Sequence, residues 1–73
     1  MTTYTKIDDN TVNAVENFGS IEYIISLSDM DTRIENIKTE LKNTTDKFTK
    51  EQLSEEIKEL TKFSKMLKEL KVK

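Results

Sequence analysis

The sequence predicts a mostly α fold with a short β N-terminus: two or three short strands, then an antiparallel, coiled-coil-like helical hairpin. Three observations carry this. Apolar residues recur at three- and four-residue spacing along Leu27, Met30, Ile34, Ile37 and Leu41. Similar spacing returns along Leu53, Ile57, Leu60, Phe63, Leu67 and Leu70. Ahead of both, residues 1–27 are rich in Thr, Val, Ile, Tyr and Phe and sparse in strong helix formers. Such spacing lays an apolar seam along a helix, and a seam needs a facing partner. The pattern points to helix–helix contact, within or between chains, rather than to a ligand pocket.

The elements follow in order. Residues 4–7 and 11–15 read as strands flanking Asp8-Asp9-Asn10, a triplet whose side chains favour turns. Residues 17–20 hold the one glycine, Gly19, and read as a second turn. Ile21, Tyr23, Ile25 and Leu27 then alternate with Glu22, Ile24 and Ser26, the signature of a strand with one buried face. A helical start over 21–27 is the competing reading. Two or three such strands are not stable alone in water, so a helix or a neighbouring chain must cover them.

The helical part is expected over residues 28–73. Ser28 reads as a cap with Asp31 three residues on, and Asp29 adds negative charge to the first turn. The first helix should span about 29–43. It ends in Asn43-Thr44-Thr45-Asp46, residues that prefer caps and turns. After a loop at about 44–49, Thr49 and Gln52 form a T-x-x-Q capping box. Phe48 and Leu53 are spaced for a hydrophobic staple beside it, which starts a second helix over about 50–72. Pairs such as Glu55–Lys58, Glu59–Lys62 and Glu69–Lys73 support that helix. Phe48 joins the seam, and Met30, Phe48, Phe63 and Met66 read as core. The alternative is one continuous helix over 29–72. Against it, Glu51 and Glu55 would then fall on the seam.

Composition narrows the function. At 73 residues the chain is one domain at most, at a size where a single core is barely sufficient. Small chains commonly add disulfides, a metal or oligomerisation. With no cysteine and no histidine, disulfides and the usual zinc ligands are out, which leaves association. Nucleophilic catalysis by cysteine or by a histidine-assisted serine cannot be built. A lone glycine does not make a phosphate loop. Asp29, Asp31 and Glu40 match three ligand positions of a calcium-binding loop. Ile34 stands where that loop needs glycine, and Arg33 where it needs a ligand. The expectation is a non-enzyme without catalytic residues, cofactor or metal.

Charge and hydropathy address partners. Residues 1–31 are acidic with Lys6 the lone base, whereas the end of the chain sets Lys62, Lys65, Lys68, Lys71 and Lys73 against Glu69. Lysines there complement a helix dipole. No arginine is interleaved with them, which argues against nucleic acid. The longest apolar stretch, Tyr23-Ile24-Ile25, is far short of a membrane span, and no apolar leader follows Met1. Asn43-Thr44-Thr45 is then an accidental glycosylation match. The expected location is the cytoplasm of the producing cell or a particle assembled there.

The opening Tyr4-Thr5-Lys6-Ile7-Asp8-Asp9-Asn10-Thr11-Val12 and the helix start Ser26-Leu27-Ser28-Asp29-Met30 carry a resemblance. Both are similar to small uncharacterised bacteriophage proteins in which a Thr/Lys/Asp-rich strand–turn segment leads into a Glu/Lys-rich coiled coil. The resemblance implies a small phage structural or accessory protein, a virion component among the options, and carries no catalytic or binding residues. The break at 43–46 departs from that pattern. Two functional expectations result. The first is an assembly component that forms a homo-oligomer or joins a larger phage assembly, with the seam as interface and the acidic strand segment adding to a partner's sheet edge. The second is a small regulatory protein that binds a host enzyme or transcription factor.

Overall fold

The computed structural model describes residues 1–72. Strands β1 (Thr2–Lys6), β2 (Thr11–Glu16) and β3 (Ile21–Ser26) form one antiparallel sheet in the order β1-β2-β3. Helices α1 (Leu27–Asn43) and α2 (Lys47–Lys68) follow. A strand, not a helix, occupies 21–26. The continuous-helix alternative does not hold, because the backbone is extended at Thr44 and at Asp46. Asp31 near the start of α1 meets Lys68 at the end of α2, and Arg33 meets Glu56, so the helices run antiparallel.

Alternation within the strands explains how sheet and helices meet. Val12 and Ala14 of β2 are fully buried, and the register sets Val12 between Lys6 and Ile25. Val12 forms a core with Leu27 of α1 and Leu67 of α2, flanked by Tyr4, Ile25, Met30, Phe63 and Leu70. The Tyr4 and Phe63 rings meet edge to face at 5.5 Å, a favoured aromatic geometry. Farther out, Ile34, Ile37 and Leu53 are buried in the hairpin. Only the base of the hairpin touches the sheet. The molecule is accordingly long and thin, 43 × 25 × 15 Å.

The helix caps differ from those the sequence suggested, for physical reasons. The cap of α1 is Ser26, not Ser28: its Oγ accepts the Asp29 N–H at 3.3 Å. The Ser28 N–H is already taken by Asn10 Oδ1 at 2.8 Å, while Asn10 Nδ2 donates to Ser26 Oγ at 3.2 Å. The β1–β2 turn thereby caps a helix remote in sequence. Asp31 is not the acid of a capping box. Its carboxylate accepts both Lys68 Nζ at 3.0 Å and Ser64 Oγ at 3.4 Å. In α2 the cap is Asp46, and the helix starts at Lys47. Thr49 is the third residue of that helix, with N–H and Oγ1 both donating to Asp46 Oδ2 at 2.9 and 2.7 Å. Gln52 lies in the helix, and Phe48, inside the first turn, is 69% exposed rather than stapled.

The second helix also stops early. Lys6, buried at the sheet, donates from Nζ to the Lys68 carbonyl at 2.9 Å, and a cation at a helix C-terminus is favourable there. Val72 then forms a parallel bridge with Lys6. This pulls the chain out of the helix well before residue 72. Ile21 and Tyr23, expected on a buried strand face, are exposed because the helices cover only the Ile25 end. Met66, read as core, is also exposed. Glu55–Lys58 and Glu59–Lys62 do not close among the described residues, where the ion pairs are Arg33–Glu56, Glu35–Lys38 and Asp31–Lys68. Glu69–Lys73 lies outside the described residues.

Two outcomes follow. Leu67→Ala empties the one site where sheet and both helices meet and should cost about 3 kcal/mol, as buried Leu→Ala changes do. Urea unfolding followed by circular dichroism would read it. The hydrogen bonds from the Thr49 hydroxyl and N–H hold the Asp46 carboxyl below its ordinary value. A lowered folded-state value gives stability that is complete above the unfolded pKa and lost as pH falls through the folded one. Helicity should therefore drop on acidification through that window, and Asp46→Asn should weaken this part of the pH dependence.

Candidate interaction surface

Most of the apolar seam is closed inside one chain. Leu27, Ile34, Ile37, Leu53 and Leu67 are buried, while Met30, Leu41, Ile57, Leu60, Phe63 and Leu70 are half-buried. Phe48 is the seam residue that stands exposed. The shallow groove between the helices, about 600 Å³, is lined by Asp31, Ile34, Lys38, Ser64, Lys65 and Lys68 among others. Its central charges, Asp31 and Lys68, already satisfy each other. Asp29, Asp31 and Glu40 lie along α1, where Asp31 points away from Asp29 and Glu40 sits about 16 Å farther along the axis, so they do not converge.

Of the exposed large apolar residues, Phe18, Ile21, Tyr23 and Ile24 lie on or beside β3, and Met1, Ile7, Phe48, Met66 and Val72 lie elsewhere. Ile24 is 60% exposed on the sheet face away from the helices, and Ile21 and Tyr23 are exposed on the opposite face. Tyr23 is tied to β2 through its hydroxyl, which donates to Glu16 Oε1 at 3.0 Å. That bond pushes the phenol pKa up. Asn13, paired with Ile24 in register, has an enclosed Oδ1 with no hydrogen-bond partner among the described residues.

The turn joining β2 to β3 is strained. Asn17, Phe18 and Gly19 all have positive φ, at 50°, 57° and 95°. Glycine tolerates this conformation, and a bulky side chain resists it. The four-residue connection between Glu16 and Ile21 imposes it on Phe18, whose ring is fully exposed. With Met1, Thr3, Val15 and Gly19 that ring borders a shallow hollow of about 380 Å³. An aromatic ring held at an energetic cost and burying nothing within its own chain has the character of a contact residue.

No protein-family model matches the chain, and no curated protein or solved structure matches it. Among the described residues, no helix is long and apolar enough to cross a membrane.

Sequence reasoning assigned contact to the helix seam and to the sheet edge of the strand segment without singling out β3, and it missed Phe18 and the capping role of Asn10. One signal for β3 was present: residues 21–26 contain neither lysine nor proline, the residues that guard exposed strand edges. Phe18 carried no signal, since only the turn geometry shows it exposed.

If Phe18 buries nothing within the chain, Phe18→Gly should relieve the left-handed strain without loss of packing. The expected result is an unchanged or slightly higher melting temperature in dilute solution, by up to about 1 kcal/mol of stability. A clear fall in melting temperature would mean that the ring is buried inside the monomer.

Proposed function

We propose that this protein acts through protein–protein contact as a non-enzymatic assembly component that self-associates. One observation carries the reading: Phe18, Ile21, Tyr23 and Ile24, four of the nine exposed large apolar residues among those described, lie on or beside a single open strand, β3, while the core and most of the helix seam are closed within the chain. Exposed apolar residues scattered singly need no explanation, whereas several on both faces of one unpaired edge strand mark an interaction site. A virion or accessory role, as the likeness to small bacteriophage proteins implies, is one setting for such assembly.

A regulatory role has less behind it. It would use the lysine-rich end of α2 to grip an acidic target. Lys68 there is engaged by Asp31, and its carbonyl by Lys6.

Light scattering from micromolar to millimolar concentration, with circular dichroism on the same samples, tests the reading. The expected result is a discrete multiple of the 8.5 kDa chain with helicity unchanged across the range. A monomer at every concentration would remove self-assembly as the function. Ile37→Asp, an obvious change for a seam interface, would instead report on folding, because Ile37 is buried within the hairpin.

A further inference from the structure

We infer that two copies of this chain pair antiparallel through their β3 edges, joining two three-stranded sheets about a twofold axis at Ile24. The inference rests on the self-association proposed above and names its surface and its partner.

Backbone polarity comes first. The Leu27 N–H donates to the Asn10 carbonyl at 2.8 Å, which continues the β2–β3 register by one residue. Hydrogen-bonded and non-bonded pairs alternate along an antiparallel ladder. Ile25, Tyr23 and Ile21 therefore turn their backbone groups toward β2, and Glu22 and Ile24 turn theirs outward, as does the Ser26 N–H, whose residue opens α1 with its carbonyl. The same alternation leaves Thr2, Tyr4 and Lys6 facing outward from β1, and there the bridge from Val72 occupies the edge at Lys6. No strand or bridge covers the β3 edge among the described residues. It has no lysine and no proline to discourage pairing.

Self-complementarity selects a second copy. Outward-bonding residues must meet outward-bonding residues, so Glu22, Ile24 and Ser26 can oppose only one another. With Ile24 opposite itself, the two Ile24 residues exchange N–H···O bonds. Each Glu22 then faces the partner's Ser26, and each Tyr23 faces the partner's Ile25. The two Glu22 carboxylates are then about 13 Å apart along the strands, beyond the screening length at physiological salt. A twofold axis at Glu22 would set those carboxylates face to face, which is destabilising. An axis at Tyr23 would place each one against Ile24. The Ile24 register also carries the β2–β3 turn past the end of the partner's strand, to where the partner's α1 begins.

The chain has no cysteine, so a single introduced one reports a single pair. Opposed residues in a hydrogen-bonded pair have Cα atoms about 5.5 Å apart, within disulfide range. Ile24→Cys should form a covalent dimer on mild oxidation, and Glu22→Cys should not. Ile24→Lys, at an exposed position, should keep the helical spectrum and move the mass from twice 8.5 kDa to 8.5 kDa. If that variant fails to fold, the cysteine pair decides alone. Cross-linking through Glu22→Cys, or none through Ile24→Cys in a dimeric protein, overturns the register. If Ile24→Lys stays dimeric, the β3 interface is wrong although self-association stands. A monomeric wild-type chain overturns both.

Discussion

The contact on which the structure depends is the meeting of Val12, Leu27 and Leu67. One comes from the middle strand, one from the first residue of α1 and one from the end of α2. A three-stranded sheet of this size gains little by itself, and a two-helix hairpin little more. Burying Val12 and Leu67 completely joins two marginal pieces into one unit. Because Leu27 directly follows β3, the strand cannot shift without moving the helix it starts.

Polar groups around this small core hold its geometry. Asn10 bonds the Ser28 N–H and the Ser26 hydroxyl with its side chain and the Leu27 N–H with its carbonyl. It thus fixes where strand ends and helix begins. At the other end of the hairpin base, Lys6 takes the Lys68 carbonyl while the Lys68 ammonium takes Asp31. Exposed pairs such as Arg33–Glu56 contribute little beside these. Their groups are solvated whether or not they meet, whereas Lys6 is buried and needs its acceptor.

The uncovered strand follows from the same architecture. A hairpin that touches the sheet only at its base shields Ile25 and leaves Tyr23 and Ile21 outside. Extending the cover would require the helices to lie flat across the sheet. Leu27 leads α1 directly out of β3, and Asp31–Lys68 ties the helices to each other. The strained β2–β3 turn adds Phe18 to the exposed group.

Local patterning determined much about this protein. The seam spacing identified two helices, the weak helix formers at 43–46 marked the break between them, and the Asp8-Asp9-Asn10 triplet marked a hairpin turn. Each of these signals depends on residues near in sequence, so each is legible there. The caps were less so. Ser28 and Thr49 satisfied a local rule, yet Ser26 and Asp46 hold the helices. At α1 the deciding partner, Asn10, comes from a distant turn. The candidate surface was legible only in the alternation that turns Ile24 outward and in the lack of lysine and proline over 21–26; tertiary structure decided the rest. Whether Ile21 and Tyr23 are core or contact depends on how far the helix pair reaches across the sheet. That reach is set by long-range contacts among Val12, Leu27, Leu67 and Lys6, which no spacing within the chain encodes.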